Sequence, residues 1–271
     1  MNCICCGADG PLANSHVISN FIRLRLTGLS DGTSQTKYQF RLLGRERVRF
    51  SQDLPKPKLL CSTCDSAFGS SIERPASLVI IPQGDVSSPQ AWYSVRIRAH
   101  ELPFKVAGLP FKVGSYQLRS FEEDCALEKF SVLTAWRALH AMCRDGVEEA
   151  REFLESRDGR VLNMSAIQFL KSANSDDYFV YPYLATIHFL GPNSAATVTG
   201  LDDEMPFAWT LLQTKGQSGV AVMLGYWVIV WPLLADGDRR RDFHELLQLT
   251  YVDWHASVIR QFREERQRSQ I

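Results

Sequence analysis

The sequence has no excess charge of either sign: 30 Lys and Arg balance 30 Asp and Glu across 271 residues. No global field therefore draws it to nucleic acid or to a membrane surface. Its first residues lack a basic stretch followed by an apolar one, so no signal peptide is expected and the cytoplasm is the expected compartment. An uncharged run does occupy residues 219–235, seventeen positions with Gly225 and Pro232 inside it. A membrane-spanning helix needs about twenty apolar residues, so this run is too short. Its Val220, Val222, Val228, Ile229 and Val230 instead predict two buried strands joined by a turn at Leu224-Gly225. Also missing are a Gly-rich phosphate loop, a Gly-x-Ser-x-Gly nucleophile elbow, a His-Glu-x-x-His pair and an internal repeat. The common nucleotide-binding and hydrolase classes thus have no motif to stand on.

What the chain does have is cysteine in a metal-type arrangement. Four of its seven cysteines form two Cys-x2-Cys pairs, Cys3 with Cys6 and Cys61 with Cys64, separated by fifty-four residues. A pair at this spacing turns tightly enough to aim two thiolates at one ion, and two such pairs complete a tetrahedral shell, so a structural zinc is expected. Cys5 is left spare, and Gly7 suits the knuckle turn because it tolerates positive φ. Cysteine used this way points to a reducing compartment rather than a disulfide framework.

Between the pairs stands Ser15-His16-Val17-Ile18-Ser19, and Leu60-Cys61-Ser62-Thr63-Cys64-Asp65 leads into a helix. In this order the motifs resemble the treble-clef zinc unit of HNH-type (His-Me finger) proteins. They are most similar to bacterial proteins whose central motif reads Ser-His-Ile-Ile-Pro; Ser19 stands here in place of that proline. The resemblance covers roughly residues 1–75, with a faint echo at 130–139. It implies that His16 is the general base of a nuclease and Asp65 the ligand of a catalytic Mg²⁺ or Mn²⁺. It also implies a role in bacterial defence. Two departures bear on catalysis. Ser15 replaces the acidic ligand that the family places before its His, and no Asn or His follows the second cysteine pair closely. The alternative role for His16 is structural, bonded to backbone beneath the knuckle or binding the ion itself.

Residues 1–70 hold nine Lys or Arg against five Asp or Glu, a local basic bias inside a neutral chain. Residues 38–50 read as a hairpin turning at Gly44, and a strand's period of two puts Arg45, Arg47 and Arg49 on one face. Three such arginines can meet successive phosphates of DNA or RNA, or form an ordinary solvated face.

The expected fold is α+β: a zinc treble clef over residues 1–75, then a larger mixed domain over 76–271 with antiparallel strands around a buried helix. Residues 19–28 fit a helix or a strand equally well. The helix after Cys64 is expected to stop near Glu73-Arg74-Pro75. Strands are expected at 78–81, 92–97, 104–106 and 111–118, with His100 at a strand end. A helix over about 122–142 is apolar around most of its circumference and should be the core of the larger domain. Its Arg137 and His140 are expected to make local hydrogen bonds at the helix edge. Short helices follow at 147–155 and 166–172, then a meander over 178–235 and closing helices at 238–249 and 253–268. If the zinc serves only as a staple, the large domain becomes the binding unit, with a protein or a small molecule as its partner.

Overall fold

The computed structural model describes residues 2–26, 38–42, 49–51, 54–80, 97–106, 109–116, 121–172, 185–189, 207–214, 217–224 and 227–234. Helices combine with a mostly antiparallel sheet packed on one long helix. In chain order the elements are α1 (Asn20–Leu26), β1 (Tyr38–Leu42), β2 (Arg49–Ser51), α2 (Ser62–Phe68), a π-helical turn (Gly69–Glu73) and α3 (Arg74–Ile80). These are followed by β3 (Ile97–Val106), β4 (Leu109–Tyr116), α4 (Phe121–Arg144), α5 (Glu148–Glu155) and α6 (Arg157–Lys171). Four strands close the series: β5 (Thr186–Phe189), β6 (Phe207–Thr214), β7 (Gln217–Leu224) and β8 (Trp227–Pro232). The choice left open at 19–28 resolves to helix over Asn20–Leu26.

The centre of the sheet is the β6–β7–β8 meander, in which Thr214 pairs with Gln217 and Leu224 with Trp227. The uncharged run at 219–235 is thus two paired strands, and among the described residues no helix is long and apolar enough to cross a membrane. The full strand order is β2-β1-β6-β7-β8-β5-β4-β3, so both β-rich stretches of the chain enter one sheet. All described pairings are antiparallel except β1 with β6.

Helix α4 packs against β5, β6, β7 and β8, and also against α3, the π turn, α5 and α6. Its side chains from Leu127 to Met142 are nearly all buried, as an apolar circumference requires. Phe21 of α1 meets Phe130, and Phe68 of α2 meets Trp136 edge-on, so the cysteine-bearing segment and α4 share one contiguous core.

Several expectations need correcting. Helix does not stop at Pro75, and residues 78–80 are helical rather than extended. Proline at 75 would clash with the carbonyl four residues back in a regular α-helix and lacks the N–H to bond it. The turn just before it is widened to the π form, where the Arg74 N–H donates to the Gly69 carbonyl, and this looser turn lets the helical path run on to Ile80. β3 is one strand where two were expected, and His100 lies inside it opposite Val113. Its pairing with β4 carries a register shift between Glu101 and Lys105, around Pro103 on an edge strand, where proline is tolerated. α6 begins at Arg157, nine residues earlier than expected, because the Ser156 side chain accepts from the Gly159 N–H and caps it. Gly44, Arg45, Arg47 and the elements expected at 81–96, 195–199, 238–249 and 253–268 fall outside the described residues.

Candidate metal centre

The first cysteine pair sits in a tight knuckle. The Gly7 N–H donates to the Cys3 carbonyl at 2.9 Å and the Cys3 N–H to the Ala8 carbonyl at 3.0 Å. Gly7 supplies the turn with φ of +73°, a conformation that costs other residues a Cβ clash. The second pair opens α2: Cys61 is its extended N-cap and Cys64 lies in its first turn, where the Asp65 N–H donates to the Cys61 carbonyl at 3.0 Å. Partial positive charge at a helix start favours thiolates there.

Backbone hydrogen bonds lace the two sites together. The Ile4 N–H donates to the Leu59 carbonyl at 3.1 Å and the Ala13 N–H to the Leu60 carbonyl at 2.7 Å, while Leu12 bridges Cys61. Leu59 and Leu60 are fully buried, which fixes this seam against the core. As a result the sulfurs of Cys3, Cys6, Cys61 and Cys64 all lie within 4.8 Å of one another. The Cys6 and Cys61 sulfurs are 3.8 Å apart. With zinc–sulfur bonds of about 2.3 Å, neighbouring sulfurs of a tetrahedral shell are separated by about 3.8 Å, so the donor set fits zinc in chemistry and in size.

The thiols are not equivalent. Burial pushes Cys3 up, but backbone hydrogen bonds from the Cys6, Cys61 and Cys5 positions outweigh it and bring the group down to about 6. Burial pushes Cys64 up, and the neighbouring thiols add to this. Four thiolates so close repel one another, and a divalent cation among them is what allows all four to ionise together. Cys5, the fifth cysteine of this segment, is buried, and burial pushes its thiol up.

The residues expected to be catalytic lie beside this centre. His16 is half-buried and interacts within the fold. Its neighbour Val17 donates its N–H to the Pro55 carbonyl at 3.5 Å. Ser15 and Ser19 are buried, and their hydroxyls have no hydrogen-bond partner among the described residues. Asp65 is committed to a partner: its Oδ1 accepts from the Arg137 guanidinium at 3.1 Å. The same guanidinium donates to Glu73 of the π turn. Arg49 lies in β2 opposite Phe40, while Arg45 and Arg47 are outside the described residues.

Sequence reasoning missed this ion-paired Arg137. It treated Arg137 as a helix-edge residue, whereas its side chain is only 2% exposed. The available signal was an arginine inside an otherwise apolar helical stretch, since a buried cation requires counter-charges somewhere. His140 behaves as a core residue. Its Nε2 donates to Asn163 Oδ1 at 3.0 Å, the same oxygen that accepts from Trp136 Nε1 at 2.7 Å, and the pair clamps α6 to α4. Burial holds its imidazole well below the usual range, at about 4, against a smaller upward effect of Asn163. No protein-family model, curated protein or solved structure matches this chain.

Proposed function

We propose that this chain is a zinc-stapled protein of the HNH-like, treble-clef type, directed at nucleic acid, in which the cysteine-bound ion is structural. The observation that carries the zinc assignment is the convergence of four thiol sulfurs within 4.8 Å. Four protein ligands leave no open position for water or substrate, which is the character of a structural site. The order of elements (knuckle, α1, the β1–β2 pair, then a helix bearing the second cysteine pair) supports the treble-clef reading. Bound zinc would fix the start of the chain to the first turn of α2, and so to the core around α4. DNA or RNA is favoured as the partner by the Ser15-His16 motif between the cysteine pairs and by the arginines at 45, 47 and 49. In a catalytic version His16 is the general base, and Asp65 with waters holds Mg²⁺ or Mn²⁺. A role in bacterial defence follows from the resemblance.

A second reading is supported by Asp65 itself. A carboxylate paired with a buried arginine is poorly placed to recruit a divalent cation, because the guanidinium already satisfies its charge. In this reading residues 1–75 are a non-catalytic staple, and residues 76–271 bind a protein or small-molecule partner. Titrating labelled DNA and RNA with zinc-loaded protein at rising salt separates the two. Affinity that falls steeply with salt supports nucleic acid. Absence of binding at low salt supports the second reading. A parallel cleavage assay with Mg²⁺ or Mn²⁺, using wild type and His16→Ala with equal zinc content, decides catalysis.

A further inference from the structure

The helix that bears the second cysteine pair has little of its own to hold its first turn. Cys61 is the N-cap of α2 but makes no side-chain capping bond, and Phe68, at the far end, is the one buried residue of the helix. Ser62 and Thr63 are exposed and Cys64 is half-buried, so core packing does not fix the turn that sets both sulfurs. Asp65 does reach the core. Its N–H donates to the Cys61 carbonyl at 3.0 Å, its carbonyl accepts from the Gly69 N–H, and its Oδ1 accepts from Arg137 Nη2 at 3.1 Å. Asp65 and Phe68 are three positions apart and so share one face of α2. The first meets Arg137 and the second meets Trp136, neighbours in α4. Two contacts on one face fix the rotation of α2 about its own axis, and that rotation decides where the Cys61 and Cys64 sulfurs point. Arg137 also donates to Glu73, which holds the guanidinium from the π turn beyond α2.

We propose that Arg137 is a positioning residue for the metal: by holding Asp65 it sets the first turn of α2, and with it the affinity of the four-cysteine site. This rests on the zinc assignment above and on neither reading of the partner. It makes the site a joint construction of the cysteine-bearing segment and of α4, whose arginine lies 72 residues from the carboxylate it grips. Charge alone predicts a different outcome. Four thiolates around one Zn²⁺ leave the centre anionic, so on charge alone removal of the Asp65 carboxylate would strengthen metal binding. If Asp65 is the handle by which Arg137 holds the turn, its removal weakens binding instead. Loss of Arg137 weakens binding in both cases, so the Asp65 variant separates the two by sign. Side chains that orient a metal's ligands typically change affinity by about 10–100-fold when removed. Asp65 acts through the backbone it shares with Cys61 and Cys64, so the low end of that range applies.

Zinc affinity of the 271-residue chain is measured by competition with a chromogenic chelator under conditions where the protein stays folded. Co²⁺ is bound in parallel, so that its visible absorption reads tetrahedral thiolate coordination. Wild type is compared with Arg137→Met, Asp65→Ala and His140→Gln, the last altering the contact of α4 with Asn163 of α6 and leaving Asp65 in place. Arg137→Met and Asp65→Ala should each bind zinc about tenfold more weakly, with a distorted Co²⁺ spectrum, while His140→Gln keeps wild-type affinity. Unchanged or tighter zinc binding in Asp65→Ala would overturn the proposal. So would a tenfold loss in His140→Gln, because any loosening of α4 would then weaken the site. If Arg137→Met fails to fold, Asp65→Ala still decides, since it alters a side chain that is one-third exposed. A wild-type chain that binds no zinc overturns the zinc assignment and this proposal together, whereas wild-type affinity in zinc-loaded Asp65→Ala overturns this proposal alone.

Discussion

Neutralising Asp65 and Glu73 together, as Asp65→Asn with Glu73→Gln, isolates what the buried arginine does. Arg137 is 2% exposed, and its two carboxylate partners are 33% and 21% exposed. Removing a partner from a buried ion pair leaves an uncompensated charge and costs about 3–5 kcal/mol. Here both amides still accept hydrogen bonds and water already reaches the partners. The expected cost therefore falls at or below the bottom of that range, about 2–3 kcal/mol. Arg137→Met removes the buried charge itself and leaves two carboxylates that can turn toward water, so its cost should be smaller, about 1–2 kcal/mol. The order of the two effects is the real prediction. Urea unfolding of zinc-loaded proteins measures it, as a shift of midpoint at constant slope. A double variant within about 0.5 kcal/mol of wild type would refute the view that this guanidinium depends on its carboxylates to bind the cysteine-bearing helix to α4. So would an Arg137→Met variant that is the more damaged of the two.

Other outcomes follow from the same geometry. Cys61→Ser and Cys64→Ser should each lose zinc by elemental analysis. At a free zinc level about a thousand times the dissociation constant the ion adds about 4 kcal/mol, so chelation should lower the melting temperature by about 10 °C. His140, held near 4 when folded against 6.5 as its ordinary value, takes up its proton on unfolding. Its stabilising contribution is complete above pH 6.5 and is lost as pH falls toward 4. The loss amounts to at most about 3 kcal/mol, and less to the extent that the half-buried ring keeps contact with water. His140→Gln should flatten stability against pH in that window, as read by urea midpoints. Two glycines should respond oppositely in thermal melts. A Cβ at Gly69 meets nothing within 4 Å in helical backbone, so Gly69→Ala should gain about 0.5–1 kcal/mol. A Cβ at Gly159 would lie 1.8 Å from the Phe153 carbonyl oxygen, so Gly159→Ala should cost more than about 2 kcal/mol.

What the sequence made legible were the features whose physics is local. Two Cys-x2-Cys pairs announce their own geometry, and Cys3, Cys6, Cys61 and Cys64 converge as that spacing requires. The apolar circumference of 122–142 announces burial, and the β-branched residues on either side of Leu224-Gly225 announce a strand pair. The illegible features depend on distant partners or on compromises in backbone geometry. Arg137 finds its carboxylates 64 and 72 residues away, a separation no local pattern encodes. Pro75 ordinarily ends a helix, and only the widened turn before it lets α3 continue.

The most direct test of the account is the coordination shell of the metal in the purified 271-residue chain, by elemental analysis and zinc X-ray absorption. One zinc per chain, bound by four sulfurs at about 2.3 Å, is the predicted result. A chain without zinc would contradict it, as would a shell of three sulfurs and one nitrogen, which would place His16 on the ion in a cysteine's stead.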